Sequence, residues 1–419
     1  MFMKQWWKRV VLGSLAVSMM CSAAFAQEKK LVVWSHWIEE PVKKNFVHAV
    51  AEAFEKETGI AVEVVWMKKY DLRDKLEIAL GKPEPDISYI DYEFNLPRVK
   101  KLLLPLDGLT FAGKLDPSWK LGNVGGDPQN FLPIEGAASA IYYNKELFQQ
   151  ANITLPTDRP LTTDEFLDVI KKLRAAGITP IGEGGTDADF KYGMPMTNMM
   201  LRFAGAEKIA QLYRREINFS DPDIMGALNF WKQVIDAQAY NPENLLKLSL
   251  SEGIFEVTDG KAAINFCGTW IYGKFAATER DRGQIGVLDW PTPKDGKGNN
   301  VYEIQWPAGY GINKDSQHVD EAKKFLEFLM TPQAAALWAR YVQSPYPVVD
   351  VEIPQESLYS ALAEQRKQSQ PIIQVFSFEA GFGEKGADKM WLLETQKFLM
   401  GETSVEELVK NMNSRLIKK

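Results

Sequence analysis

The sequence predicts an α/β protein in which helices cover a largely parallel sheet, with enough chain for about two domains. Three observations carry this prediction. A strand–helix–strand–helix–strand alternation runs from Leu31 to Asp91. A similar alternation restarts near residue 138. Between them no long flexible linker intervenes, so two units would be joined by short strand-like crossings.

In order, Leu31–Trp34 reads as a buried strand. The helix that follows, near residues 41–59, carries Val42, Phe46, Val50 and Phe54 at every fourth position, with Pro41 suited to its first turn and Gly59 to its C-cap. Residues 60–66 (IAVEVVW) form a second β-rich run, 71–81 a second helix, and 85–91 a third strand. An irregular helical piece follows at 94–106. Downstream come a strand at 138–143 and a helix in which Thr162 and Glu165 form a capping box. In that helix Phe166, Val169, Ile170 and Leu173 give the apolar face, and Gly177 stops it. Helices are expected near 193–217 and 221–240, and strands at 261–273, 284–293 and 301–315. A helix pair at 318–341 is broken at Thr331-Pro332. In parallel sheets ligands bind beyond the carboxyl ends of the strands. His36, Trp37, Trp66, Asp91, Tyr92 and Glu93 all fall at such ends.

The first 26 residues read as a secretory signal. Lys4, Lys8 and Arg9 precede an apolar run that is too short to span a bilayer, and Ala24-Phe25-Ala26 forms a small-x-small cleavage site. Without them 393 of the 419 residues remain, and the net charge of −6 becomes −9, because three positive charges and no negative ones are removed. That balance disfavours nucleic acid or an acidic membrane as partner. Only Cys267 is left, which excludes a disulfide-stapled fold and requires a large core; an apolar fraction of 45% is sufficient for one. Export without disulfides suits a bacterial periplasmic protein.

Catalytic and metal motifs are missing. There is no G-x-S-x-G elbow and no H-E-x-x-H pair, and of the three histidines, His36, His48 and His318, neither of the last two has a neighbour at ligand spacing. The glycine-rich stretch 182–190 is neither a Walker motif nor an EF-hand loop. It reads as a surface loop, with Asp187 or Asp189 available to a ligand in a cleft. No cofactor is expected. Aromatic residues are plentiful instead. Ten tryptophans follow residue 26, and Trp34, Trp37, Trp66, Trp270 and Trp306 lie beside turns or strand ends. A tryptophan face suits the C–H face of a pyranose or a cation, while nearby carboxylates accept from hydroxyls. For any one tryptophan, core packing is the stronger expectation. Within the first strand, alternation turns Trp34 toward the helices and leaves His36 and Trp37 in the loop facing the cleft.

Several segments carry a resemblance. YYNKELFQQANITLP with LTTDEFLDVIKKLRAAGITPI, GKAAINFCGTW, and EAKKFLEFLMTPQAAALWA occur in this order and spacing behind the leader. The chain resembles the extracellular solute-binding proteins of ABC importers, in the sugar-binding family that includes maltose-binding protein. The resemblance spans essentially everything after residue 26. It implies the two-lobed type II periplasmic binding protein fold, with residues 27–133 and 309–345 in one lobe and 134–308 and 346–419 in the other. Crossings are expected near Leu132–Gly136, Gln305–Gly309 and Ser344–Val348. The family's Gly-x-Trp places a sugar-stacking aromatic at Trp270, with Tyr272 beside it. Family ligand regions fall on His36 and Trp37 and on Asp91, Tyr92 and Glu93, and Trp306 would line the cleft from behind. The stretch 371–391 departs from the family's shorter version, so the resemblance assigns no contact to Phe376, Phe378, Glu379 or Trp391.

The expected function is capture of a sugar or oligosaccharide by hinge closure and delivery to an ABC permease in the inner membrane, as a monomer and without covalent chemistry. An amine or polyol ligand is the nearest alternative, and an exported carbohydrate-active enzyme a more distant one.

Overall fold

A computed structural model describes residues 30–79, 81–91, 97–106, 113–115, 119, 129–184, 194–271, 283–344, 346–347, 358–373, 378–384 and 386–417. The leader lies outside these, as do Tyr92, Glu93, Asp187 and Tyr272.

Among the described residues nine strands form the sheet: β1 (Lys30–Ser35), β2 (Ala61–Trp66), β3 (Ile87–Asp91), β4 (Leu132–Asn144), β5 (Thr179–Ile181), β6 (Ala262–Gly268), β7 (Ile285–Leu288), β8 (Val301–Ile312) and β9 (Gln370–Ile373). Their order is β2-β1-β3-β8-β4-β6-β5, with β7 also on β4 and β9 also on β8. β1 is parallel to β2 and β3, but β8 runs antiparallel to both β3 and β4. The sheet is therefore mixed where a largely parallel one was expected. The reason is that β4 and β8 are not members of strand–helix–strand units; they are long strands that pair with each other, and β4 contributes to both cores.

One core gathers Leu31, Val33, Phe46, Phe54, Tyr89, Leu132 and Ile134 with Tyr310, Phe325 and Trp338. A second gathers Ile141, Phe166, Met199, Trp231, Phe266 and Trp290 with Trp391 and Leu408, and a smaller third one, on Ala140 and Tyr142 of β4, includes Val257, Cys267 and Val287. Leu132, Pro133 and Glu135 of β4 pair with Tyr310, Gly309 and Ala308 beside the first core. Beyond them, Ser139–Tyr143 pair with β6 and Ile141–Asn144 with β7 beside the second. The β4–β8 ladder slips between Pro133 and Glu135 and again between Glu135 and Ala137. A proline without an N–H lies at each irregularity, Pro133 on β4 and Pro307 on β8, and such residues are tolerated in a strand at bulges.

The helices follow their local signals. Pro41 opens Pro41–Thr58 and Gly59 closes it with φ of 70°. Thr162 and Glu165 form the reciprocal capping box of Thr163–Ala175. Thr331 caps Pro332–Tyr341, which separates it from Val319–Leu329. The helix Met194–Tyr213 is kinked at Gly205, whose φ is 78°. Tyr346 packs in the first core and donates from its hydroxyl to the Leu329 carbonyl at 2.7 Å. In the late region, Phe378 and Trp391 are buried in the second core with ring centroids 4.8 Å apart, which makes them packing residues.

Candidate functional site

The edge of the first core is built at the ends of β1 and β3. β1 delivers Ser35 and His36, and the chain then turns into a short 3-10 helix, Trp37–Glu39. That turn corrects the expectation for Trp37. Its ring points inward and is fully buried, with centroids 4.6 Å from Tyr89 and 6.2 Å from both Tyr310 and Trp338. It is a core residue, with the Lys43 ammonium 5.1 Å from its ring centroid. Trp34, half-buried, also packs on this core.

His36 keeps 11% side-chain exposure, its Nε2 3.9 Å from Asp91 Oδ2 and its ring 4.7 Å from Tyr89. Burial, with Lys69 and Lys43 adding to it, pushes His36 down to about 3. The imidazole is therefore neutral near pH 7, and its approach to Asp91 is not an ion pair. Asp91 Oδ2 lies 3.5 Å from the Lys69 ammonium. The two sequence-expected residues are thus brought together with a lysine that sequence reasoning did not select.

This state of His36 predicts a pH effect. The folded protein keeps His36 neutral to about pH 3, whereas the unfolded chain protonates near pH 6.5. The associated stability is fully present above pH 6.5 and is lost as pH falls from there towards 3. His36→Gln should remove roughly 2 kcal/mol of the destabilisation that the wild type suffers on going from about pH 7 to pH 5. Melting temperatures across that range check it; an equal fall in both proteins contradicts the assignment.

Below this edge lies a buried polar cluster. Lys43 Nζ is 2.5 Å from Glu135 Oε1 and 2.8 Å from Glu40 Oε2, and Tyr89 donates to Glu135 Oε2 at 2.9 Å. Burial alone would lower Lys43, but the two carboxylates override it and raise the ammonium to about 12. Burial pushes Glu135 and Tyr89 upward from their ordinary values. Neither Lys43 nor Glu135 was anticipated, although each left a signal. Lys43 sits on the buried helix face with Phe46, Val47, Val50 and Phe54, and Glu135 is the lone charge in the apolar run FLPIEGAA.

The edge of the second core is the end of β6. Gly268 is followed by a 3-10 turn, Thr269–Ile271. The half-buried Trp270 ring folds back over Gly268, where a Cβ would meet it at 1.8 Å, so only glycine permits this seat. The two edges meet on β4. Glu135 is held by Lys43, and three residues on, the Ala138 N–H donates to Thr269 Oγ1 at 3.2 Å. Between them, the space where Gly136 would carry a Cβ holds the half-buried Trp119 ring at 2.6 Å. Trp119 too was missed, since nothing in its local sequence links it to β4.

Trp66 stands apart. It is in register with Ser35 at the end of β2, and its half-buried ring lies 5.5 Å from His48 and under the Lys44 ammonium at 5.4 Å, against the helix Pro41–Thr58. Trp306 lies within β8, but its side chain is outside the described residues. Among the described residues no group of three or more His, Cys, Asp or Glu side chains is placed to hold a metal ion.

The model of the bacterial extracellular solute-binding protein family matches residues 39–336. The chain belongs to this family. Its members bind solutes outside the cytoplasm and are not enzymes. Among curated relatives, a multiple sugar-binding protein of Streptococcus mutans is 24% identical over 228 residues, 52% of this chain and 51% of its own. A probable sugar-binding periplasmic protein of Brucella melitensis is 26% identical over 231 residues, 54% of this chain and 48% of its own. The chain spans about half the length of the curated relatives it matches. Among solved structures, a chitin oligosaccharide binding protein superposes with a TM-score of 0.78 at 23% identity, covering 93% of this chain and 98% of that one. A solute-binding protein in complex with raffinose gives 0.74 at 19% identity, over 93% and 98%. These likenesses show the two-lobed type II periplasmic binding fold that the sequence resemblance implied.

Proposed function

We propose that the chain is the periplasmic substrate-binding component of an ABC importer and holds a neutral sugar or oligosaccharide between its two lobes. The observation that supports this reading is a glycine-seated aromatic, Trp270, at the end of β6, together with a polar edge of Asp91, Lys69 and neutral His36 at the ends of β1 and β3. An aromatic face with adjacent hydrogen-bonding groups is what a pyranose requires, since a buried hydroxyl left unpaired costs about 1–3 kcal/mol. The printed functions of the relatives support the same class of ligand.

In this reading Trp270 stacks on the sugar, and Asp91, Lys69 and His36 address hydroxyls. Tyr92, Glu93, Asp187, Tyr272 and Trp306 remain candidate contacts. The lobes divide close to 133/134 and 308/309, and the third connection leaves the first lobe after Tyr346. The division of the two cores along β4 supports the first of these boundaries. Ligand favours the closed state because it touches both lobes, and the permease receives the closed form. The protein acts as a monomer, matured by cleavage after Ala26.

Isothermal titration against neutral mono-, di- and trisaccharides tests the reading. Saturable binding of at least one is expected; no binding to any, with tight binding of an amine instead, overturns the sugar assignment. Trp270→Ala should weaken the best ligand roughly tenfold to a hundredfold. Trp66→Ala should leave affinity within about twofold. Equal losses in the two variants would contradict the placement of these rings.

A further inference from the structure

We propose that Arg366, in the helix Leu358–Arg366, is a hinge-positioning residue that fixes the second-lobe ends of β4 and β8. Bending of β4 is thereby confined to Gly136 and Ala137. The inference rests on the reading that the lobes move about these strands.

β4 is held on either side of its crossing. Glu135 is gripped by Lys43 and Tyr89, both from the first lobe. On the other side, the Ala138 N–H is bound by Thr269 Oγ1, and the Ser139 carbonyl accepts from Arg366 Nη2 at 2.7 Å. The Ser139 hydroxyl accepts from the Trp290 indole at 2.8 Å and lies 3.2 Å from Glu303 Oε2 of β8. Gly136 and Ala137 are the two residues left between these clamps. One is a glycine, with the widest backbone freedom, and the β4–β8 register slips beside it. Strand rise makes this segment about 7 Å long.

Arg366 reaches both crossing strands. While Nη2 binds the Ser139 carbonyl of β4, the guanidinium carbon lies 4.7 Å from the centroid of Tyr302 on β8. A planar fork with stacking faces can do both at once, which an ammonium cannot. The guanidinium is itself immobilised. Its Nε and Nη2 donate to Asp289 Oδ1 at 3.0 and 2.6 Å, and the side chain is only 5% exposed. The neighbouring Gln365 bridges Asp289 N and the Val287 carbonyl, each at 3.0 Å, so the helix end is docked on β7. This helix follows the third connection in the chain. A side chain from beyond the third connection thus holds the other two.

Pulsed electron spin resonance on the full mature chain tests the proposal. Spin labels are placed at K56C and Q233C, exposed positions in opposite lobes, with fully buried Cys267 left in place. Hydrogen exchange at residues 136–139 is read in parallel. Arg366→Gln should broaden the inter-lobe distance distribution roughly twofold and speed exchange at Ala138 and Ser139 about tenfold. Arg366→Lys, which keeps a charge opposite Asp289, should recover much of the melting temperature but not the narrow distribution. A wild-type distribution and exchange pattern in both variants, whatever their melting temperatures, overturns the role. A single distance in the wild type that stays fixed with a saccharide that titrates would overturn the hinge reading together with it. Binding of no saccharide, with a distribution that still broadens in Arg366→Gln, sinks the sugar assignment and upholds the hinge.

Discussion

Lys43→Met is expected to destabilise the protein by about 3–5 kcal/mol. Lys43 is 2% exposed and is the cation between Glu40 and Glu135. Methionine fills most of its volume, so the loss is not chiefly a cavity. It comes from leaving Glu135 buried with Tyr89 as its remaining donor. The carboxyl would then take up a proton, drawing on folding free energy to do so. The measurement is a thermal or urea melt. A fall in melting temperature on the order of 10 °C is expected, using about 2–4 °C per kcal/mol for domains of this size. Adding Glu135→Gln to Lys43→Met should recover part of the fall, because the amide is neutral and can still accept from Tyr89. A single variant that melts within about 2 °C of wild type would show that the cluster is not a coupled unit.

Asp289→Ala is expected to cost a similar amount, about 3–5 kcal/mol, for the complementary reason. Asp289 is fully buried with its Oδ2 2.6 Å from Arg202 and its Oδ1 2.6 Å from Arg366. Burial alone would raise its carboxyl; the two guanidinium groups override that and hold it at about 2. Removing it leaves two permanent cations facing each other away from water. Arg202 retains the carbonyls of Asn299 and Val301 at 3.0 and 2.9 Å, which softens but does not cancel the penalty. In the wild type the carboxylate is held below its ordinary value. Its contribution is therefore complete above about pH 4 and disappears as pH falls through about 2. Urea melts of the variant near pH 7 check the magnitude. A loss under about 1 kcal/mol would mean that water or rearranged side chains replace the carboxylate.

These two clusters also mark where the sequence stops being informative. Local physics was legible. The capping box at Thr162 and Glu165, the helix break at Thr331-Pro332 and the strand ends at His36 and Asp91 each follow from neighbours a few residues away. The Gly-x-Trp at 268–270 came from the family resemblance; the structure adds that Trp270 folds back on its own strand over the missing Cβ of Gly268. What was not legible depends on partners far along the chain. Trp37 turns inward because Tyr89, Tyr310 and Trp338, from three separate segments, build a slot for it. No reading of residues 31–37 alone supplies that slot. The mixed sheet has the same origin, since β8 runs against β3 only once it has returned from the second lobe. Glu135 meets Lys43, and Asp289 meets Arg202 and Arg366, through tertiary contacts that leave no short-range pattern. In each case the usable sign was a charge embedded in an apolar stretch.

We propose that ligand sits between the His36–Asp91–Lys69 edge and Trp270 and so draws the lobes together. A crystal structure with the tightest saccharide from the titration panel tests it most directly. The account predicts a pyranose ring on the face of Trp270, hydroxyls within hydrogen-bond distance of Asp91 or Lys69, and lobes closer than in the ligand-free crystal. A saccharide touching one lobe only, or bound away from Trp270 with the lobes unmoved, would contradict it.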